Sequence, residues 1–146
     1  MILVAGIGNI FFGDDGFGSE AARRLAACAT SPGVRVEDFG IRGLDFAYAL
    51  MDGYVATIVL DAIQRGGAPG TLYLNEPDLD EIAAAAPGID AHTMDPMHVL
   101  ALARSMGAEL REITIVGCEA ETFGPPNEGR LGLSPCVAAA VERAAE

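Results

Sequence analysis

The chain has no lysine: all nine of its basic residues are arginines, set against twenty-one acids in 146 residues. A P-loop is excluded, because its GxxxxGKS/T sequence needs a lysine on the phosphates. Schiff-base chemistry is excluded for the same reason. Positive charge is scarce altogether, and the formal net charge is −12. Such a chain repels nucleic acid and anionic membrane, so neither is expected as a partner. The plain reading of the charge is solubility, and the sharper one is a preference for a basic or cationic partner. Cysteine is also sparse. Cys28, Cys118 and Cys136 are far apart and odd in number, which argues against a disulfide framework and against a CxxC zinc site. A reducing cytoplasm is the expected compartment. No apolar run approaches the ~20 residues that span a bilayer. The run Ile2 to Ala5 is too short, and lacks the basic flank, for a signal peptide.

The length suits a single domain over 1–146, and 51% hydrophobic residues are enough for a full core. There is no internal repeat and no low-complexity linker. Ile2–Gly6 reads as a first strand and Phe17–Cys28 as a first helix. Val34, Val36 and Phe39 mark a second strand, and Leu44–Met51 a short helix. Val55–Leu60 is the clearest buried strand, with Asp61 at its end. Gly66, Gly67, Pro69 and Gly70 make a turn into a short strand over Thr71–Leu74, suited to a sheet edge. Asp78–Ala86 fits either a helical turn or an irregular segment. Asp95-Pro96 combines an N-cap with proline at the first helical position and predicts a helix over Pro96–Met106. Ile113–Gly117 is another buried strand, and Glu119–Leu133 a long Gly- and Pro-rich loop. Ser134-Pro135 repeats the cap-plus-proline signal and starts a terminal helix to about Ala145. Strands alternating with helices imply an α/β domain whose mainly parallel sheet is covered on both faces.

The opening segment carries most of the chemistry. A buried strand runs into Gly6-Ile7-Gly8-Asn9, and the adjacent acids Asp14 and Asp15 follow, then Gly16 and Gly18. A phosphate loop offers bare N–H groups or cations. Two carboxylates repel phosphate and attract metal cations instead. In open α/β sheets ligands gather at the C-terminal ends of the strands. That edge carries Asp14 and Asp15 after strand one, Gly40 and Gly43 after strand two, and Asp61 after strand three. His92 lies in Asp90-Ala91-His92-Thr93, just ahead of a helix. Two carboxylates and one imidazole suit a divalent first-row transition metal, with positions left open for substrate or water.

Each of these residues also has a structural reading. Asp14 or Asp15 can simply cap helix one, and Asp61 can cap a turn. His98 falls inside a predicted helix and reads as a surface or packing residue, so His92 is the better ligand. Cys136, in the first turn of the last helix, reads as a small buried residue rather than a nucleophile. Dinucleotide binding fits poorly: Gly6-Ile7-Gly8 supplies two glycines of GxGxxG, but Phe11 takes the third place and no acid ends strand two. A phosphoacceptor receiver fits worse, since Gly8 to Gly13 separate the acids from strand one and the receiver's lysine is missing. A non-catalytic metal-binding or recognition module would show the same ligands as a peptidase.

Taken together, the residues resemble those of the hydrogenase maturation endopeptidases, which process nickel–iron (NiFe) hydrogenase large subunits. The matching pieces run in order over nearly the whole chain. They are Gly6-Ile7-Gly8-Asn9 with Asp14-Asp15-Gly16-Phe17-Gly18, Ile58-Val59-Leu60-Asp61-Ala62, Pro69-Gly70-Thr71-Leu72, Ala91-His92-Thr93-Met94, Ile115-Val116-Gly117, and the tail from Leu133 to Val141. The resemblance implies a three-layer α/β/α sandwich with a five-stranded sheet. It implies removal of a C-terminal extension from a nickel-loaded large-subunit precursor. The residues do not specify an oligomeric state, and monomer is the default expectation. The resemblance also implies that Asp15, Asp61 and His92 bind the metal and carry the catalytic role. The nickel would be carried by the substrate, and another divalent transition metal could substitute. Relatives often have glutamate where this chain has Asp15, and Gly-Gly-Thr where it has Gly40-Ile41-Arg42-Gly43.

Overall fold

A computed structural model describes residues 1–28, 31–88 and 94–146. Among these described residues there are five strands: β1 Ile2–Ile7, β2 Val34–Gly40, β3 Ala56–Ile63, β4 Leu72–Asn75 and β5 Glu112–Glu119. Five α-helices accompany them: α1 Phe17–Ala27, α2 Gly43–Ala49, α3 Leu79–Ala84, α4 Pro96–Ser105 and α5 Pro135–Ala144. The strands form one sheet in the order β2-β1-β3-β5-β4. All neighbours are parallel except β4, which lies antiparallel to β5 at the edge. The expected α/β sandwich with a mainly parallel five-stranded sheet is the architecture found.

The strands alternate because both faces are covered. Leu3, Ala5, Ile7 and Val59 point into one core with Phe39, Phe46, Leu100 and Ile115. Val4 and Leu60 point into the other, with Phe17, Ala21, Val137 and Val141 from α1 and α5. Period-two alternation therefore divides one apolar run between two cores. Helix α1 lies very close to the sheet. A Cβ on Gly18 would come within 2.2 Å of the carbonyl oxygens of Leu60 and Ile7, so the third-glycine role of a dinucleotide fold falls on no phenylalanine here. Phe11, the misfit in that pattern, is exposed.

Two local details differ from the sequence expectation, and a third decides between its two alternatives. Strand β3 runs on to Ile63 because Ala62 and Ile63 still pair with Cys118 and Glu119, so Asp61 sits inside the strand. A 3-10 turn, Gly13–Gly16, precedes α1 and holds both Asp14 and Asp15. The residue ahead of α1 is Gly16, and no side chain caps that helix. The helix-cap reading of either acid is thereby corrected. The segment left between helix and irregular structure is helical over Leu79–Ala84, capped by the Asp78 carboxylate, which accepts from the Glu81 N–H at 2.8 Å.

Candidate active site

Strand order places the site. From β1 the chain goes through α1 to β2 on one side, and then returns to β3 on the other. The order reverses between β1 and β3, and open α/β sheets bind ligands in the crevice at such a point. Asp15 follows β1 and Asp61 lies near the C-terminal end of β3. The two predicted carboxylates therefore flank the crevice.

Asp15 is held by backbone. Its Oδ2 accepts from the Asn9 N–H at 2.9 Å. Gly8, at φ 134°, makes room for this turn: a Cβ there would sit 1.9 Å from the Asp15 carbonyl oxygen. Burial pushes the Asp15 carboxyl above its ordinary value, and the Asn9 hydrogen bond opposes this in part. Asp61 is only 8% exposed. Burial is the first cause of its strongly raised pKa, and the neighbouring charges of Asp15 and Asp95 raise it further. A hydrogen bond from the Ala62 N–H works the other way. The Asp15 charge thus makes ionisation of Asp61 harder. An arriving cation would reverse that repulsion, so this donor set fits a metal better than it fits any anion.

The third expected ligand, His92, lies outside the described residues. Its downstream anchor is described: Asp95 caps α4 by accepting from the Met97 N–H at 2.9 Å, with Pro96 in the first turn. Among the described residues no three His, Cys, Asp or Glu side chains form a metal-binding group. His98 is on the exposed face of α4, 3.8 Å from Asp95, as expected of a surface histidine. The thiol of Cys136 lies 3.5 Å from the Ser134 hydroxyl and 3.7 Å from the Glu121 carboxylate.

Asp14 is a different kind of residue from its neighbour. It is fully buried and accepts hydrogen bonds from the N–H groups of Glu121, Thr122 and Ser134 and from the Ser134 hydroxyl. Burial works against its ionisation, but the donated hydrogen bonds outweigh burial and hold its pKa below the usual carboxylate range. It ties the turn after β1 to the loop after β5 and to the start of α5. Ser134, read as a helix cap, makes no cap bond and gives its hydroxyl to Asp14 instead.

A cleft of about 320 Å³ opens beside Asp61, between the β3–β5–β4 surface and the N-terminus of α4. The Gly40–Gly43 loop borders a separate hollow, with Gly8, Arg23 and Asp38, so it does not line the Asp61 cleft. Sequence reasoning passed over Glu119, which is 3% exposed and accepts from the Arg65 N–H with both carboxylate oxygens, at 3.1 and 2.9 Å. The available signal was the one that singled out Asp61: an acid ending an apolar strand.

The family model for hydrogenase maturation proteases, HycI, matches residues 20–146. The chain belongs to that family. It is 35% identical over 149 residues to a putative hydrogenase maturation protease of Methanocaldococcus jannaschii, covering 99% of this chain and 92% of that one. It is 34% identical to the hydrogenase expression/formation protein HoxM of Azotobacter vinelandii, over 99% of this chain and 72% of the relative. The fold superposes on the hydrogenase maturating endopeptidase HybD from E. coli with a TM-score of 0.76 at 27% identity, covering 99% of this chain and 86% of that chain. Membership makes the chain a protease, which displaces the non-catalytic recognition module as its description. No described helix is long and apolar enough to cross a membrane.

Proposed function

We propose that this maturation protease removes the C-terminal extension of a NiFe-hydrogenase large-subunit precursor after nickel has been inserted. In this reading Asp15, Asp61 and His92 complete the coordination of nickel still held by the substrate. The observation that carries it is the buried Asp61 carboxylate at the end of β3 with Asp15 close enough for its charge to oppose Asp61 ionisation, while burial opposes ionisation of both, an arrangement that a cation would relieve. Membership of the family supports the same reading.

Nickel bound there joins the precursor to the protease at a fixed point and so places the scissile bond beside the two carboxylates. A precursor without nickel lacks that point and is left uncut. The ion would polarise a carbonyl or activate water, or one of the two carboxylates would act as general base on water. Another divalent transition metal with similar ligand preferences could substitute. The net charge of −12 and three free cysteines support a monomer working in the cytoplasm, away from nucleic acid and membrane.

The test is trimming of a nickel-loaded precursor, followed as a mobility shift. Wild type is expected to trim and Asp61→Asn to leave the precursor full length with the fold intact. Trimming at the wild-type rate by Asp61→Asn contradicts the assignment.

A further inference from the structure

The cleft beside Asp61 has the build of a peptide subsite. Asp61, Gly117 and Tyr73 are paired in register across β3, β5 and β4, so they share one row and one face of the sheet. Gly117 puts no side chain between the other two. Ile63 leans over it instead, and a Cβ on Gly117 would meet Ile63 side-chain atoms at 2.8–3.2 Å. The next row brings Ile115 and Asn75. Across the cleft, Met94, Pro96 and Met97 form the wall. Floor and wall thus carry an apolar patch of Ile63, Ile115, Met94, Pro96 and Met97, with Gln64, Asn75 and Asp95 as polar members and the Asp61 carboxylate at one end. The volume is at the small end of ligand pockets, ~300–1,000 Å³, enough for a residue or two of extended peptide. Two methionines on the wall suit an apolar side chain of variable shape.

The rim carries a cation. Arg65 has its guanidinium 5.0 Å above the Tyr73 ring, while its main-chain N–H is fixed by the buried Glu119. Five other arginines (Arg23, Arg24, Arg35, Arg42 and Arg111) are paired with acids of this chain. Arg104 and Arg143 donate to main-chain carbonyls. Among the described residues the guanidinium groups of Arg65 and Arg130 make no ion pair or hydrogen bond, in a chain with more than twice as many acids as arginines, and of the two Arg65 lines this cleft. Stacking on an aromatic ring leaves the planar edge of the fork free for a carboxylate.

We infer that this cleft is the subsite for the substrate segment next to the scissile bond, taking an apolar side chain between Ile63, Ile115, Met94 and Met97, with Arg65 gripping a carboxylate of that segment. The inference rests on the protease reading above and deepens it. Continuity of the cleft with Asp61 argues for the peptide being cut as occupant, and Arg65 supplies a cation at its rim for charge complementarity with a carboxylate. The carboxylate is either an acidic side chain of the extension or its C-terminus.

The test is binding rather than turnover. A fluorescent synthetic peptide spanning the trimmed junction and the rest of a precursor's extension is titrated with the intact protein and read by anisotropy. Arg65→Gln is expected to weaken binding about tenfold, with partial recovery in Arg65→Lys, since the Glu119 contact uses only main chain. Met97→Ala is expected to weaken it severalfold, and so is replacing the apolar residues at the junction by serine. If the grip is on the C-terminus, amidating the peptide reproduces the Arg65→Gln loss in wild type. If it is on an acidic side chain, the corresponding amide residue does so. Equal affinity of wild type and Arg65→Gln overturns the inference, and so does absence of saturable binding to wild type. Failure of the protease reading shows separately, as wild type that binds the peptide but trims no nickel-loaded precursor.

Discussion

Ser134 donates twice to Asp14, its main-chain N–H to Oδ1 at 2.7 Å and its hydroxyl to Oδ2 at 2.9 Å. The two residues are 120 positions apart, so this contact closes the fold around the turn that carries Asp15. With the N–H groups of Glu121 and Thr122 also aimed at it, Asp14 is a buried anion fully supplied with donors. Asp14→Asn places an amide nitrogen among those donors. It is expected to destabilise the protein by about 3 kcal/mol, read as a lowered urea midpoint with an unchanged slope.

The same contact has a pH signature. The folded-state pKa of Asp14 is depressed, so the folded protein holds its proton more weakly than the unfolded chain does. Its contribution is complete above the ordinary carboxylate value of ~4 and is lost as pH falls through the lower folded value. Wild type should therefore lose stability on acidification below pH ~4 more steeply than Asp14→Asn, as measured by denaturant titrations at stepped pH.

Asp61 behaves in the opposite sense. Its folded-state pKa is raised well above the ordinary value, first by burial and then by Asp15. The folded protein binds that proton more tightly than the unfolded chain, so the Asp61 term weakens stability as pH rises from ~4 to the raised value. Asp61→Asn removes the conflict. It is expected to stabilise the metal-free protein at neutral pH by about 1–2 kcal/mol while abolishing trimming. Thermal melts beside the processing assay check both halves. A variant that melts lower than wild type at neutral pH contradicts the electrostatic account of this residue.

Gly8 tests how the backbone sets Asp15. Its φ of 134° is out of reach for most side chains, and an added Cβ would meet the Asp15 carbonyl oxygen at 1.9 Å. Gly8→Ala is expected to cost about 2 kcal/mol or more and to slow trimming beyond what its stability loss explains. Gly53→Ala provides the comparison, because that glycine also has positive φ but no neighbour within 4 Å of its Cβ. Equal trimming by the two variants would detach Gly8 from the site.

Much of this arrangement is readable in the order of residue types. The split of Leu3, Val4 and Ala5 between two cores follows from a short apolar run in an alternating α/β pattern. Asp61 stands out because a carboxylate ends a run of aliphatic residues, where burial must be compensated or used. What adjacency hides is the division of labour between Asp14 and Asp15. Consecutive acids look alike in sequence, and only the 3-10 turn over Gly13–Gly16 sends one inward to Ser134 and leaves the other at the crevice. Ser134-Pro135 marks a helix start correctly, but says nothing of the tertiary acceptor that takes the serine hydroxyl. Arg65 and Glu119 are 54 residues apart, and only the pairing of β3 with β5 brings the Glu119 carboxylate to the Arg65 N–H. His92, predicted as the third ligand, lies outside the described residues.

The central claim is that Asp15, Asp61 and His92 read nickel carried by the substrate. The most direct measurement is trimming of one purified precursor prepared in nickel-loaded and nickel-free forms, by wild type and by Asp15→Asn, Asp61→Asn and His92→Ala. The account predicts that only wild type trims, and only the loaded precursor. Equal trimming of both forms by wild type, or normal trimming of the loaded form by all three variants, would contradict it.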